Sequence, residues 1–130
     1  TLETTRNIFS HINVPIIAFD ELKEFPQGMH TCNRRSDKKL LIQQFPEIDF
    51  SYLIDNNDTL WNDKREETLD ELNERYNTLN QFLKSREEKN IAIISHSGFI
   101  QQYKDKKIGL IENGDEELLH CYPYEYLFKL

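Results

Sequence analysis

A chain of 130 residues suits one domain, and with 38% hydrophobic residues it carries enough apolar surface to form a core. Its formal net charge of -7 excludes capture of nucleic acid or an anionic membrane by bulk electrostatics, so an anionic ligand has to be held by local groups. No run reaches the roughly 20 apolar residues that span a bilayer, and the first residues lack the basic-then-apolar order of a signal peptide.

In chain order, Leu2, Ile8 and Phe9 fall near one face of a helix over residues 1–11. Asn13-Val14-Pro15 ends it, because proline disfavours helix in the residue before it. Ile16 to Phe19 is a short apolar run that fits a buried parallel strand. It opens into a loop over 20–33 whose Pro26, Gly28, His30 and Cys32 resist both helical and strand periods. From Arg34 to Phe45 the spacing is helical, with Ser36 as N-cap, Leu40, Leu41 and Phe45 as the apolar stripe, and Pro46 as the stop. Residues 47–63 mix Phe50, Tyr52 and Trp61 with turn formers, and read as an ordered loop in which the aromatics pack a lid. The charges from Asp63 to Glu67 read as a solvated helix start.

From Glu66 to Glu88, Leu69, Leu72, Tyr76, Leu79, Phe82 and Leu83 recur at helical spacing, which predicts a long amphipathic helix. Ile91-Ala92-Ile93-Ile94 has the continuous apolar character of a strand covered on both faces. Ser95-His96-Ser97-Gly98 follows as a polar turn, and a helix is expected over Phe99 to Lys107. Residues 111–119 and 122–130 have the composition of a terminal strand or hairpin. This alternation predicts an α/β three-layer sandwich with a mostly parallel central sheet. Ligands of such sheets lie beyond the carboxyl ends of the strands, where the loops after Phe19 and Ile94 both emerge.

His96 stands where an apolar strand gives way to a helix start. The amides of Ser97, Gly98 and Phe99 would point forward there, and unpaired N–H groups at a helix N-terminus attract phosphate. A histidine that caps the helix or packs at its mouth accounts for the same pattern. Glu24 lies shortly after the other predicted strand; beside a bound dianion, like charge favours the protonated carboxylic acid, the form a general acid needs. Taken alone it also reads as one of 23 acidic residues on a solvated surface. Arg34 and Arg35 at the loop mouth suit either an anion clamp or an ordinary basic helix start. His30 and Cys32 have no further ligands spaced to complete a metal site. The two cysteines, Cys32 and Cys121, are too few and too distant for a disulfide framework, so reduced, half-buried thiols in a cytoplasmic protein are expected.

The segment Ile91-Ala-Ile-Ile-Ser-His96-Ser-Gly-Phe-Ile100 resembles the second-histidine motif of the histidine phosphatase superfamily: an apolar strand, Ser or Thr, His, a small residue, Gly and an apolar pair. Leu22-Lys23-Glu24 followed by Gly28 resembles the Leu-x-Glu segment that carries that family's proton donor. Thr1-Leu2-Glu3-Thr4-Thr5 looks like the tail of its helix motif. Phe45-Pro-Glu-Ile-Asp-Phe-Ser, Leu60-Trp61 and Arg65-Glu66 resemble the phosphoglycerate mutase-like proteins of plants and lower eukaryotes. The resemblance makes residues 1–130 the C-terminal portion of a single histidine phosphatase-like domain that lacks its first strand.

It further implies that His96 binds the transferring phosphoryl group, that Glu24 protonates the leaving oxygen, and that Ser97, where many relatives have Gly, supplies a backbone N–H to the phosphate. The family nucleophile is a histidine in an Arg-His-Gly motif, and none of His11, His30 and His120 stands in one. The nucleophile is therefore expected upstream of Thr1, and this chain by itself is expected not to turn over substrate. The implied activity is phosphoryl transfer through a phosphohistidine on a small phosphorylated substrate, without metal or other cofactor. Phosphomonoester hydrolysis leads; a phosphoglycerate mutase or a non-catalytic interaction module are the alternatives, and the oligomeric state is open.

Overall fold

The helices begin and end where local chemistry dictates, and their apolar stripes then set the packing. The computed structural model describes residues 1–105, Leu118 and residues 122–125. Helix α1 spans Leu2–Phe9, with Glu3 in its first turn and Arg6 in its last, each sign suited to the helix dipole. Arg6 leaves α1 to donate from Nε to Glu47 Oε1 at 2.6 Å and to stack over the Phe45 ring at 4.2 Å. Helix α2 spans Lys38–Gln44 and takes Asp37 rather than Ser36 at its N-cap position. Leu41 and Phe45, four residues apart, are buried, whereas Leu40 is exposed, so the stripe is narrower than its composition implies.

Leu41 and Phe45 join Ala18, Ile48, Phe50 and Leu53 in one apolar cluster, against which Leu2 and Ile16 pack. The segment before the functional loop is threaded through this cluster. Ile17 forms an isolated parallel bridge with Asp49, in which the Ala18 N–H donates to the Asp49 carbonyl and the Asp49 N–H to the Ile16 carbonyl, both at 2.8 Å. The partner thus lies in a stretch whose turn formers mark it as loop.

Helix α3, Leu69–Lys84, starts at a capping box: Thr68 accepts from the Glu71 N–H while the Glu71 carboxylate accepts from the Thr68 N–H. Leu72, Tyr76, Leu79 and Leu83 line its buried face; Leu69, counted into the stripe by spacing, is exposed because it precedes the first turn that meets the core. Helix α4, Ser97–Asp105, begins immediately after His96 and buries Phe99 and Tyr103 against α3. The Tyr76 ring meets Phe99 and Tyr103 at 5.1 and 5.0 Å, in the edge-on geometry aromatic pairs prefer. Phe19 and Tyr52 reach Phe82 at 4.9 and 5.1 Å and link this second cluster to the loop region.

Residues 91–96 have no regular secondary structure and join no ladder among the described residues, and Ile91 and Ile93 are exposed. The apolar run that fits a doubly covered strand needs neighbours on both sides, and no described residue bridges to it. The terminal hairpin expected over 111–119 and 122–130 falls largely outside the described residues, as does Cys121.

Candidate active site

The site is built where the loop after Phe19 meets the N-terminus of α4. That loop opens with a single 3-10 turn, Asp20–Leu22, and then runs extended through Lys23. Ser95 fastens it from the other side by donating its hydroxyl to the Leu22 carbonyl at 2.6 Å. Gly98 permits the close approach that follows: a Cβ there would stand 2.5 Å from the Phe25 carbonyl oxygen and 2.8 Å from Glu24 Oε1. Only hydrogen fits in that gap. Gly28, at φ +103°, has a comparable role further on, since a Cβ there would meet the Arg65 carbonyl at 2.2 Å.

These constraints bring His96 and Glu24 together, with Nδ1 3.4 Å from Oε2. The two carboxylate oxygens have different environments. Oε1 accepts from the Phe25 N–H at 2.9 Å, and Oε2 faces the imidazole. The His96 side chain is 39% exposed and that of Glu24 25%, so both reach solvent from a fixed seat. Burial holds the His96 imidazole below its ordinary value of 6.5; the Glu24 carboxylate opposes this, while Arg75 and Lys23 add to the lowering. Ser97 is exposed at the first position of α4, and its N–H, like those of Gly98 and Phe99, is a first-turn amide with no intrahelical acceptor. A rim of this kind can take a phosphate group, with an imidazole and a carboxyl on one side and free amides on the other.

Sequence reasoning missed a buried pair behind the loop. Glu67, counted among solvated charges, has a side chain only 6% exposed and holds the Arg75 side chain, 4% exposed, through two bonds of 2.7 Å. The corrective signal was Arg75 itself, a charge on the apolar face of α3 between Leu72 and Leu79. Lys23, beside Glu24, is likewise paired, with the fully buried Asp58 carboxylate.

The Arg35 guanidinium is engaged by backbone carbonyls and by Asp20. Its Nη1 donates to the carbonyls of Ser36 and Asn56 and its Nη2 to those of Asp55 and Asn57, at 2.9–3.1 Å, and its Nε stands 2.8 Å from Asp20 Oδ1. It fastens a loop. Arg34 is exposed and stacks over Trp61 at 5.1 Å, and the Trp61 Nε1–H donates to the His30 carbonyl at 3.0 Å. A concavity of about 340 Å³ opens beside Arg34, and another of about 350 Å³ lies between Trp61 and α3; His96 and Glu24 line neither. His30 is exposed, 3.9 Å from Glu66. Cys32 is exposed rather than half-buried, because the short 3-10 turn Thr31–Asn33 that carries it projects from the surface. Among the described residues no group of three or more His, Cys, Asp or Glu side chains is placed to hold a metal ion, and no helix is long and apolar enough to cross a membrane.

Three curated relatives from Arabidopsis thaliana match the chain. A phosphoglycerate mutase-like protein is 38% identical over 95 residues, which is 73% of this chain and 35% of the relative. Phosphoglycerate mutase-like protein 1 is 36% identical over 100 residues, 75% of this chain and 34% of the relative. Phosphoglycerate mutase-like protein 2 is 42% identical over 89 residues, 65% and 26%. The chain belongs to the phosphoglycerate mutase-like proteins of the histidine phosphatase superfamily. It spans about a third or less of the length of these relatives. No family model matches it, and no solved structure does so at a significant level. Among the described residues the β part is the Ile17–Asp49 bridge.

Proposed function

We propose that residues 1–130 form the C-terminal portion of one histidine phosphatase-like domain, a three-layer sandwich whose parallel sheet includes Ile16–Phe19 and Ile91–Ile94 and is completed by an upstream strand. The reaction is metal-independent hydrolysis of a small cytoplasmic phosphomonoester through a phosphohistidine. The nucleophile belongs to a segment upstream of Thr1, since none of the four histidines here stands in an Arg-His-Gly motif. The observation that carries this reading is the 3.4 Å approach of His96 to Glu24 at the start of α4.

In the first step the upstream imidazole nitrogen bonds to phosphorus and the ester P–O bond breaks. Glu24 gives its proton to the leaving oxygen, and His96 with the Ser97 N–H takes up charge on the non-bridging oxygens. In the second step water attacks the phosphohistidine; Glu24, now a carboxylate, accepts the proton, and inorganic phosphate leaves. His96 starts neutral, because burial disfavours its charge, and an arriving phosphate dianion favours its protonation. To Arg34, exposed and stacked over Trp61, this reading assigns a second anionic group on the substrate.

The test is made in the full-length protein that continues upstream of Thr1. His96→Ala and Glu24→Gln are each expected to lower kcat for phosphomonoesters by roughly 10²–10⁴-fold with the fold intact by circular dichroism. Near-wild-type turnover in both variants would overturn the assignment. Interconversion of phosphoglycerates without release of inorganic phosphate would replace hydrolysis by the mutase reaction.

A further inference from the structure

The buried Glu67–Arg75 pair sits behind the loop that carries Glu24. Every polar group of Arg75 is aimed at that loop or at the residue that holds it. Nε and Nη2 donate to the two oxygens of Glu67, Nη1 to the carbonyls of Glu21 and Lys23 at 3.0 Å each, and Nη2 also to the carbonyl of Glu24 at 3.2 Å. Gln27 takes the same Glu24 carbonyl from its Nε2 at 2.6 Å, while its own N–H donates to Glu67 Oε2 at 3.1 Å and its carbonyl accepts from the Glu67 N–H at 2.7 Å. Three carbonyls of the loop, those of Glu21, Lys23 and Glu24, are therefore hung from one guanidinium, and the guanidinium is held by one carboxylate.

The same stretch of α3 holds the other half of the rim. The Arg75 guanidinium lies over the Phe99 ring at 5.3 Å, and the next residue, Tyr76, donates its hydroxyl to the Phe99 carbonyl at 3.0 Å. Phe99 follows His96 within the first turn of α4 and is 1% exposed. Burying an ion pair seldom adds stability over an apolar packing of the same volume, since desolvation offsets the Coulomb attraction. What such a pair supplies is geometry: a planar fork with five donors in fixed directions, which a leucine or a lysine cannot reproduce.

We infer that Arg75, oriented by Glu67, is a positioning residue that fixes the Glu24 carboxyl relative to His96 by fastening the backbone of Glu21, Lys23 and Glu24 to the face of α3 that also seats Phe99. The inference rests on the reading of Glu24 as proton donor. It touches neither substrate nor reacting atoms. Its consequence is specific, because a displaced donor matters only when the leaving oxygen needs a proton. A nitrophenolate departs without one; an unsubstituted phenol or an alcohol does not.

The experiment compares p-nitrophenyl phosphate with phenyl phosphate in the full-length protein, for the wild type, Arg75→Lys, Glu67→Gln, Gln27→Met and Glu24→Gln. Arg75→Lys keeps the charge and loses the fork, Glu67→Gln keeps the shape and loses the carboxylate, and Gln27→Met removes one donor to the Glu24 carbonyl while leaving the buried charges in place. Arg75→Lys and Glu67→Gln are expected to lower kcat for phenyl phosphate by about 10–100-fold and for p-nitrophenyl phosphate by less than about threefold, since misplacing a catalytic group by an ångström can cost that much. Gln27→Met is expected to show the same split at severalfold size, and it decides the matter where the charged variants do not fold. Equal losses on both substrates, or none, while Glu24→Gln keeps the split, would overturn the positioning role and leave the donor in place. Absence of a split in Glu24→Gln itself would remove the donor assignment, and this inference with it.

Discussion

Gly98→Ala isolates the contact that joins the two halves of the rim. The added methyl carbon would stand 2.5 Å from the Phe25 carbonyl oxygen and 2.8 Å from Glu24 Oε1, where ordinary contact begins at about 3.4 Å. The loop or the helix must therefore yield by about 0.9 Å, the difference between 3.4 and 2.5 Å. The closer obstacle is a backbone oxygen, which cannot rotate aside, and the residue before it is held through its carbonyl by Arg75 and Gln27. Two effects compete in stability. Alanine in a helix gains up to about 1 kcal/mol over glycine, whereas forcing a methyl into a filled space costs typically about 1–3 kcal/mol.

Because the obstacle is pinned, the second should win, and Tm should fall by several degrees. In activity the displacement separates Glu24 from His96, and a shift of this size is expected to lower kcat by about 10²-fold. The assay is steady-state turnover of phenyl phosphate by the full-length protein, with thermal unfolding by circular dichroism alongside. Wild-type turnover and an unchanged or raised Tm would mean that the loop does not press on α4, and the geometry argued for the rim would fail with it.

The His96 imidazole, followed by NMR in the ligand-free protein, should titrate below 6.5, because burial outweighs the neighbouring Glu24 carboxylate. Glu24→Gln removes a group that raises that pKa and should move the midpoint further down; an upward move would contradict the assignment of the two effects. The sign for stability follows. An unfolded chain binds the proton more readily than the folded one, so His96 contributes a loss of stability that sets in as pH falls below about 6.5 and continues to the lower folded value. Thr68→Ala should cost about 1 kcal/mol by deleting the capping-box acceptor of α3, readable as a lower denaturation midpoint with unchanged slope. No change would show that the Glu71 carboxylate, which also accepts from Thr68 and pairs with Arg65, caps the helix unaided.

The sequence by itself determined the helices and the candidate chemistry. The 3.6-residue period of Leu72, Tyr76, Leu79 and Leu83 is a local property, and it marked α3 because a helix can bury only one stripe. Pro46 marked the end of α2 for an equally local reason, a steric clash with the preceding residue, whereas α1 stops at Phe9, well before Pro15. His96 and Glu24 were each legible from the motifs around them. Only the tertiary structure decided that their side chains stand 3.4 Å apart, and that Gly98 is the gap through which they approach. It also decided the fate of the charges. Glu67 and Arg35 look like solvated residues in a polar stretch, yet one is buried against Arg75 and the other is spent on backbone carbonyls. Charge patterning shows which residues can ionise. Whether an ionised group meets water, a ligand or a buried partner depends on contacts between segments far apart in the chain, and no local pattern encodes those contacts.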